Sequence, residues 1–151
     1  MEISNLYLEP TAKTPLIDLN KINGELLISG KSIPENAAKV YDEVMQWVSE
    51  YVRNPRPTTN LRLNLEYFNT ASSLWLAKIV KVLASIDNQD YTLLFHLYIH
   101  IEEYNTMDTD DLEETLSPFI NLVGTPAINL CVKIYGIDDD GKILKESMVL
   151  I

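Results

Sequence analysis

The chain has 151 residues, 46% of them hydrophobic, enough for one proper core and too few for two ordinary domains. Its formal net charge of −10 at pH 7 would be repelled by a nucleic-acid backbone or an anionic lipid surface, which argues against both as partners. No basic region followed by an apolar run opens the sequence, no stretch reaches the length of a membrane span, and the single Cys131 can form neither an internal disulfide nor a cysteine-based zinc site, so a cytoplasmic protein is expected.

Short apolar runs at 15–18 and 25–29 flank Asn23-Gly24, a dipeptide that takes the positive φ angles of a tight turn, and are expected to pair as an antiparallel hairpin. Gly30 closes the second strand. Ser32-Ile33-Pro34-Glu35 then has the spacing of a capping box, predicting a helix that starts there. Ala37, Val40, Tyr41, Val44, Trp47, Val48 and Tyr51 recur at three and four, and Pro55 and Pro57 end the helix.

The next stretch, 61–83, is the one the rest of the chain is organised around. Leu61, Leu63, Leu65 and Tyr67 alternate with Arg62, Asn64 and Glu66, the pattern of a half-buried strand. Beyond Thr70 the period changes to that of a mostly buried helix, with Trp75, Leu76, Ile79, Val80, Val82, Leu83 and Ile86 leaving Lys78, Lys81 and Ser85 as a thin polar stripe. Asn69 or Thr70 is the natural N-cap, so Thr70, Ser72 and Ser73 cluster at a positive helix end that attracts anions. Two readings stay open. Thr70 caps the helix while the serines fill its first turn, or Thr70 is a covalent switch whose phosphate adds about −1.5 to −2 charges where a helix dipole tolerates them.

After a polar loop at 87–90, a strand over 91–101 places Leu93, Phe95, Leu97, Ile99 and Ile101 on one face and His96, Tyr98 and His100 on the other. An acidic segment follows around a short helix from 108 to about 116, then a strand through Ile128, Leu130, Val132 and Ile134. Asp140-Gly141 marks a turn that returns 142–151 as a final strand. Strand-helix-strand units with short loops favour right-handed crossovers. The fold class expected is α/β, a mixed β-sheet covered by α-helices, in one domain spanning 1–151.

Enzyme signatures are missing. None of the five glycines forms a nucleotide-phosphate loop, and no nucleophile elbow surrounds Ser72 or Ser73. His96 and His100 lie on a strand, where four residues span about 13 Å, too far for one metal ion. Asp138-Asp139-Asp140-Gly141 lacks the end ligands of a calcium loop. No cofactor and no metal is expected.

Four segments then carry a resemblance: Thr14-Pro15, GKSIPEN at 30–36, VMQWV at 44–48, and LEYFNTASS at 65–73. Together they resemble the SiaC family of bacterial regulatory phosphoproteins, over about residues 6–100. The resemblance implies a fold like that of the anti-sigma-factor antagonists (the STAS fold) and no catalytic activity. It implies phosphorylation of the threonine in the YxNT motif, here Thr70, by a dedicated kinase, and its dephosphorylation by a PP2C-type phosphatase. The unmodified form in that family binds a diguanylate cyclase and promotes cyclic di-GMP synthesis, with biofilm formation downstream. Tyr67, Phe68, Asn69, Ser72, Ser73, Glu35 and Asn36 are the residues expected to border the partner surface. Ala71 stands where a serine is common, the match weakens from Glu102 onward, and 136–151 reads as a C-terminal extension. The alternatives are an anti-sigma-factor antagonist of the same fold and, in a different class, a small hydrolase using Ser72 or Ser73.

Overall fold

The computed structural model describes residues 3–149. Seven strands lie side by side in chain order: β1 (Leu6–Leu8), β2 (Leu16–Asn20), β3 (Glu25–Ser32), β4 (Thr58–Phe68), β5 (Thr92–His100), β6 (Asn129–Ile137) and β7 (Ile143–Val149). β3 to β6 run parallel, and β1, β2 and β7 pair antiparallel at the margins. The helices α1 (Ala37–Tyr51), α2 (Thr70–Ala84), α3 (Ile101–Tyr104) and α4 (Thr109–Ile120) occupy the three parallel crossovers. The mixed α/β sheet expected from the sequence is therefore present.

The buried aliphatic positions of the strands and Phe95 share one parity, while His96 and Tyr135 are buried on the other face. Ile17, Leu19, Leu26, Ile28, Leu61, Leu63, Leu93, Phe95, Leu97, Val132 and Ile134 form one cluster with the inward faces of α1, α2 and α4. Each such side chain contributes about 1.5–3 kcal/mol by leaving water, so this cluster dominates the stability of the fold. Successive right-handed crossovers that step in one direction put their helices on one side. Among the described residues the helices thus cover one face of the sheet, a narrower arrangement than the one expected.

The open face is polar and internally bonded. Arg62 donates from Nε to Glu25 Oε2 (2.8 Å) and from Nη1 to Tyr98 OH (2.8 Å), and Tyr98 stacks on Tyr135 at 4.7 Å. The carboxamide oxygen of Asn60 faces His96 Nε2 (2.8 Å), so Nε2 donates and Nδ1 accepts from Tyr135 OH (2.7 Å). Burial, with the nearby cations of Arg62 and Lys133, lowers the His96 pKa to about 4, against some opposition from the Glu25 carboxylate. The imidazole is a neutral, fully bonded structural group.

Several local expectations are corrected. β1 is an additional edge strand that its three residues were too short to announce. α1 begins at Ala37, with the Asn36 side chain accepting from Lys39 N–H. Ser32-Ile33-Pro34-Glu35 is therefore no capping box, because Ser32 ends β3 and Glu35 reaches out to Lys13 (3.0 Å). α4 runs to Ile120, beyond the expected 116, and carries a capping box of Asp108 and Asp111. The final strand forms over Ile143–Val149, and the last two residues of the expected stretch lie outside the described ones.

The turn between β4 and α2 as candidate functional site

β4 does not keep its alternation to the end. Gly30 pairs with Leu65 and Lys31 with Tyr67, which leaves Glu66 as the extra residue of a β-bulge. The bulge exchanges the two faces. Tyr67, expected inside, is 58% exposed with Lys31 Nζ 5.7 Å from its ring, while Phe68 turns to the helix side and meets Phe119 of α4 at 5.7 Å. Phe68 still leaves 43% of its surface in solvent.

The helix then starts at a tied-down cap. Asn69 Oδ1 accepts from Ser72 N–H (2.9 Å), its Nδ2 donates to Pro34 O (3.2 Å), and its backbone N–H donates to Ser32 O (3.0 Å). Asn69 is the N-cap and Thr70 the first helical residue, which resolves the two candidates. The Pro34 contact also brings the segment carrying Glu35 and Asn36, both exposed, against this turn.

Successive helical residues are about 100° apart, so positions 70 and 72 face nearly opposite ways. Thr70 is exposed. Ser72 is fully buried inside a chain of hydroxyls: Tyr41 OH bonds Ser32 Oγ (2.5 Å), Ser32 Oγ donates to Ser72 Oγ (2.8 Å), and Ser72 Oγ donates to Ser32 O (2.9 Å). Burial raises the Tyr41 pKa, partly offset by these hydroxyl bonds, so the phenol stays protonated. Ser72 is accordingly removed from the surface residues; its place is to lock the first turn of α2 onto β3 and α1. Ser73 is half-buried.

The hydrolase alternative loses Ser72 here, and no histidine stands ready as its base among the described residues. Ser72 Oγ is enclosed by Ser32, and both histidines are bonded elsewhere, His96 to Tyr135 and Asn60, His100 to Asp139 (2.8 Å). Among the described residues no group of three or more His, Cys, Asp or Glu is arranged to hold a metal ion.

What remains at Thr70 is a helix start with no acidic residue in its own first turn and with exposed apolar side chains nearby in the chain. No acidic residue stands in the first turn of α2, so the partial positive charge of the dipole is unopposed within the helix. Leu74, four residues on and hence on the Thr70 side, is 59% exposed, and Ile33, beside the Pro34 contact, is 37% exposed. Sequence reasoning passed over both. Leu74 was hidden in the apolar run Leu74-Trp75-Leu76, although its spacing from Thr70 marks it as lying off the buried face.

The sequence model of the SiaC family regulatory phosphoproteins matches residues 8–123, past the stretch that carried the resemblance and through the acidic segment. An uncharacterised protein of Pseudomonas aeruginosa strain UCBPP-PA14 is 31% identical over 81 residues, which are 54% of this chain and 64% of that relative. The match thus spans less than two thirds of the curated relative. The crystal structure of apo-SiaC from Pseudomonas aeruginosa superposes with a TM-score of 0.64 at 23% identity, covering 85% of this chain and 98% of that one. A chain in the crystal structure of the diguanylate cyclase SiaD with its activator SiaC, from the same organism, gives 0.67 at 20% identity, covering 86% and 99%. At such identities the two structures speak for the fold; with the family match over most of its length, this chain belongs to the SiaC family of regulatory phosphoproteins.

Proposed function

We propose that this protein is a non-catalytic regulator whose hold on a partner is switched by phosphate on Thr70, the partner being a diguanylate cyclase in a cyclic di-GMP pathway. A kinase and a PP2C-type phosphatase set the phosphate level. The observation that carries the reading is the exposure of Thr70 at the first position of α2, with Phe68 two residues before it and Leu74 one helical turn on also exposed. An unmodified threonine there can be covered by a partner at little desolvation cost, since one hydrogen bond from the partner satisfies its single hydroxyl. A phosphate must be paired or stay wet, and burying it unpaired costs more than an interface of ordinary size recovers. The free helix end accommodates the dianion in the isolated protein, so modification releases the partner without unfolding the regulator.

The test is peptide mapping of protein from its native cells with and without phosphatase treatment, paired with pull-down of the unmodified form. Phosphate on Thr70 and recovery of a cyclase by the unmodified form alone are expected. Phosphate confined to Ser73, or capture of a sigma-regulating kinase in place of a cyclase, overturns the assignment; the second result restores the anti-sigma-factor-antagonist reading.

A further inference from the structure

Pairing between β4 and β5 stops at Leu63 and Leu97, although both strands continue. Beyond that point β4 stays paired to β3 as far as Phe68, and β5 to β6 as far as His100. The sheet therefore forks, and a crevice of about 790 Å3 opens between the two branches. Phe119 of α4 sits at the fork, 5.7 Å from Phe68 and 5.8 Å from Phe95, and occupies the space beneath it.

Among the described residues, the backbone edges that line the fork pair with no other strand. Asn60 donates toward β3, to Gly24 O (2.8 Å), and Thr92 donates toward β4, to Pro57 O (2.8 Å). Peptide groups alternate direction along a strand, so Leu65 on β4 and His100 on β5 turn theirs into the gap. After the bulge the parity changes: Asn69 N–H goes to Ser32 O on β3, which turns Phe68 outward too. Unpaired strand edges are templates for another chain.

The charge of the walls selects that chain. Glu66, Glu103, Asp138, Asp139 and Asp140 line the crevice, and no lysine or arginine does among the described residues. Asp138 is engaged by its own turn and Asp139 by His100, whereas Glu66, Glu103 and Asp140 have no ion pair among the described residues. We infer that the crevice takes an extended segment of a partner protein bearing lysine or arginine, which adds as a strand to the free edge of β4 and sets its cations against these carboxylates. This rests on the partner-binding reading above and names the chemistry of what is bound.

The probe is an acetylated octapeptide of alternating lysine and valine added to the full chain, read by amide hydrogen exchange. Exchange at Leu65 and Phe68 is expected to slow at least tenfold. An analogue N-methylated at alternate residues, with the same charge but no donating edge, is expected to leave those amides unchanged, as is the glutamate-valine peptide. The double variant Glu66→Lys/Asp140→Lys, both positions exposed, is expected to weaken binding at least tenfold at an unchanged melting temperature. Equal effects from the N-methylated peptide, protection at β1 or β7 in place of β4, or an unaffected double variant overturns the inference. Protection of Leu65 on concentrating the protein alone makes a second copy the occupant and overturns it as well. Failure here with cyclase binding still lost on Thr70 phosphorylation sinks only the crevice; the reverse outcome sinks only the switch.

Discussion

Thr70 and Ser72 lie two residues apart in one helical turn, carry the same functional group, and have opposite environments. Thr70 faces solvent, while Ser72 is sealed between Ser32 and Tyr41. The turn thus has two unlike sides: the inner one fixes where the helix begins, and the outer one can take a charge without disturbing that anchoring. A switch on a loosely held helix would change conformation as well as charge. Here Asn69 and Ser72 hold the first turn to β3 and to the 34–36 segment through two bonds from the cap and two from the serine, with a third cap bond closing the turn itself.

Substitution on the inner side is the strongest challenge to that division. Ser72→Asp places a carboxylate where it meets the Ser32 carbonyl oxygen in the dry interior, and the expected loss is more than about 3 kcal/mol, read as a fall in the urea midpoint. A loss under 1 kcal/mol would mean that the hydroxyl chain is wet and the two sides are alike. Asn69→Ala comes next: it removes the N-cap and frees Pro34 O, for an expected loss of about 1–2 kcal/mol at an unchanged urea dependence. If partner binding by this variant falls no more than stability explains, the cap acts on the fold alone; a larger fall extends the binding surface to the 34–36 segment it tethers.

The division was only half legible in the sequence. Alternation at Leu61, Leu63, Leu93, Phe95, Val132 and Ile134 and the helical spacing of α1 and α2 follow from local periodicity, so element order and sheet type could be read directly. The turn chemistry of Asn23-Gly24 and Asp140-Gly141 likewise marked its connections; both glycines have positive φ, 71° and 83°. What escaped were features decided by tertiary partners. The bulge at Glu66 exists only in register with β3, and it exchanged Tyr67 and Phe68 between faces. Choosing Asn69 over Thr70 as the cap depended on the carbonyl of Pro34, thirty-five residues away in the chain. Moving a helix start by one residue rotates every side chain of the first turn by about 100°, so the contacts of Asn69 with Pro34 and Ser32 bear on which hydroxyl is inside. The fork between β4 and β5 left no trace in either strand's sequence, because the apolar residues keep their period of two through it in both, even though the bulge at Glu66 breaks that alternation in the folded β4.

The smallest expected effect on stability belongs to Thr70→Glu, and it is the sharpest test because its sign is opposite to that of Ser72→Asp. At the first position of α2 the new carboxylate faces water and the positive end of the helix, with no acidic neighbour in that turn to repel it. The expected change is a gain of about 0.3–1 kcal/mol at low ionic strength, shrinking as salt screens it. Partner affinity is nevertheless expected to fall at least tenfold, because a charge that is comfortable in the free protein must lose water when a partner closes over it. Thr70→Ala is expected to keep most of the affinity. Calorimetric binding and thermal melts on the same samples would separate the outcomes: loss of affinity with unchanged or raised stability assigns the effect to the outer side of the turn, whereas parallel loss of both would show that Thr70 helps hold the helix and that the two hydroxyls are not divided after all.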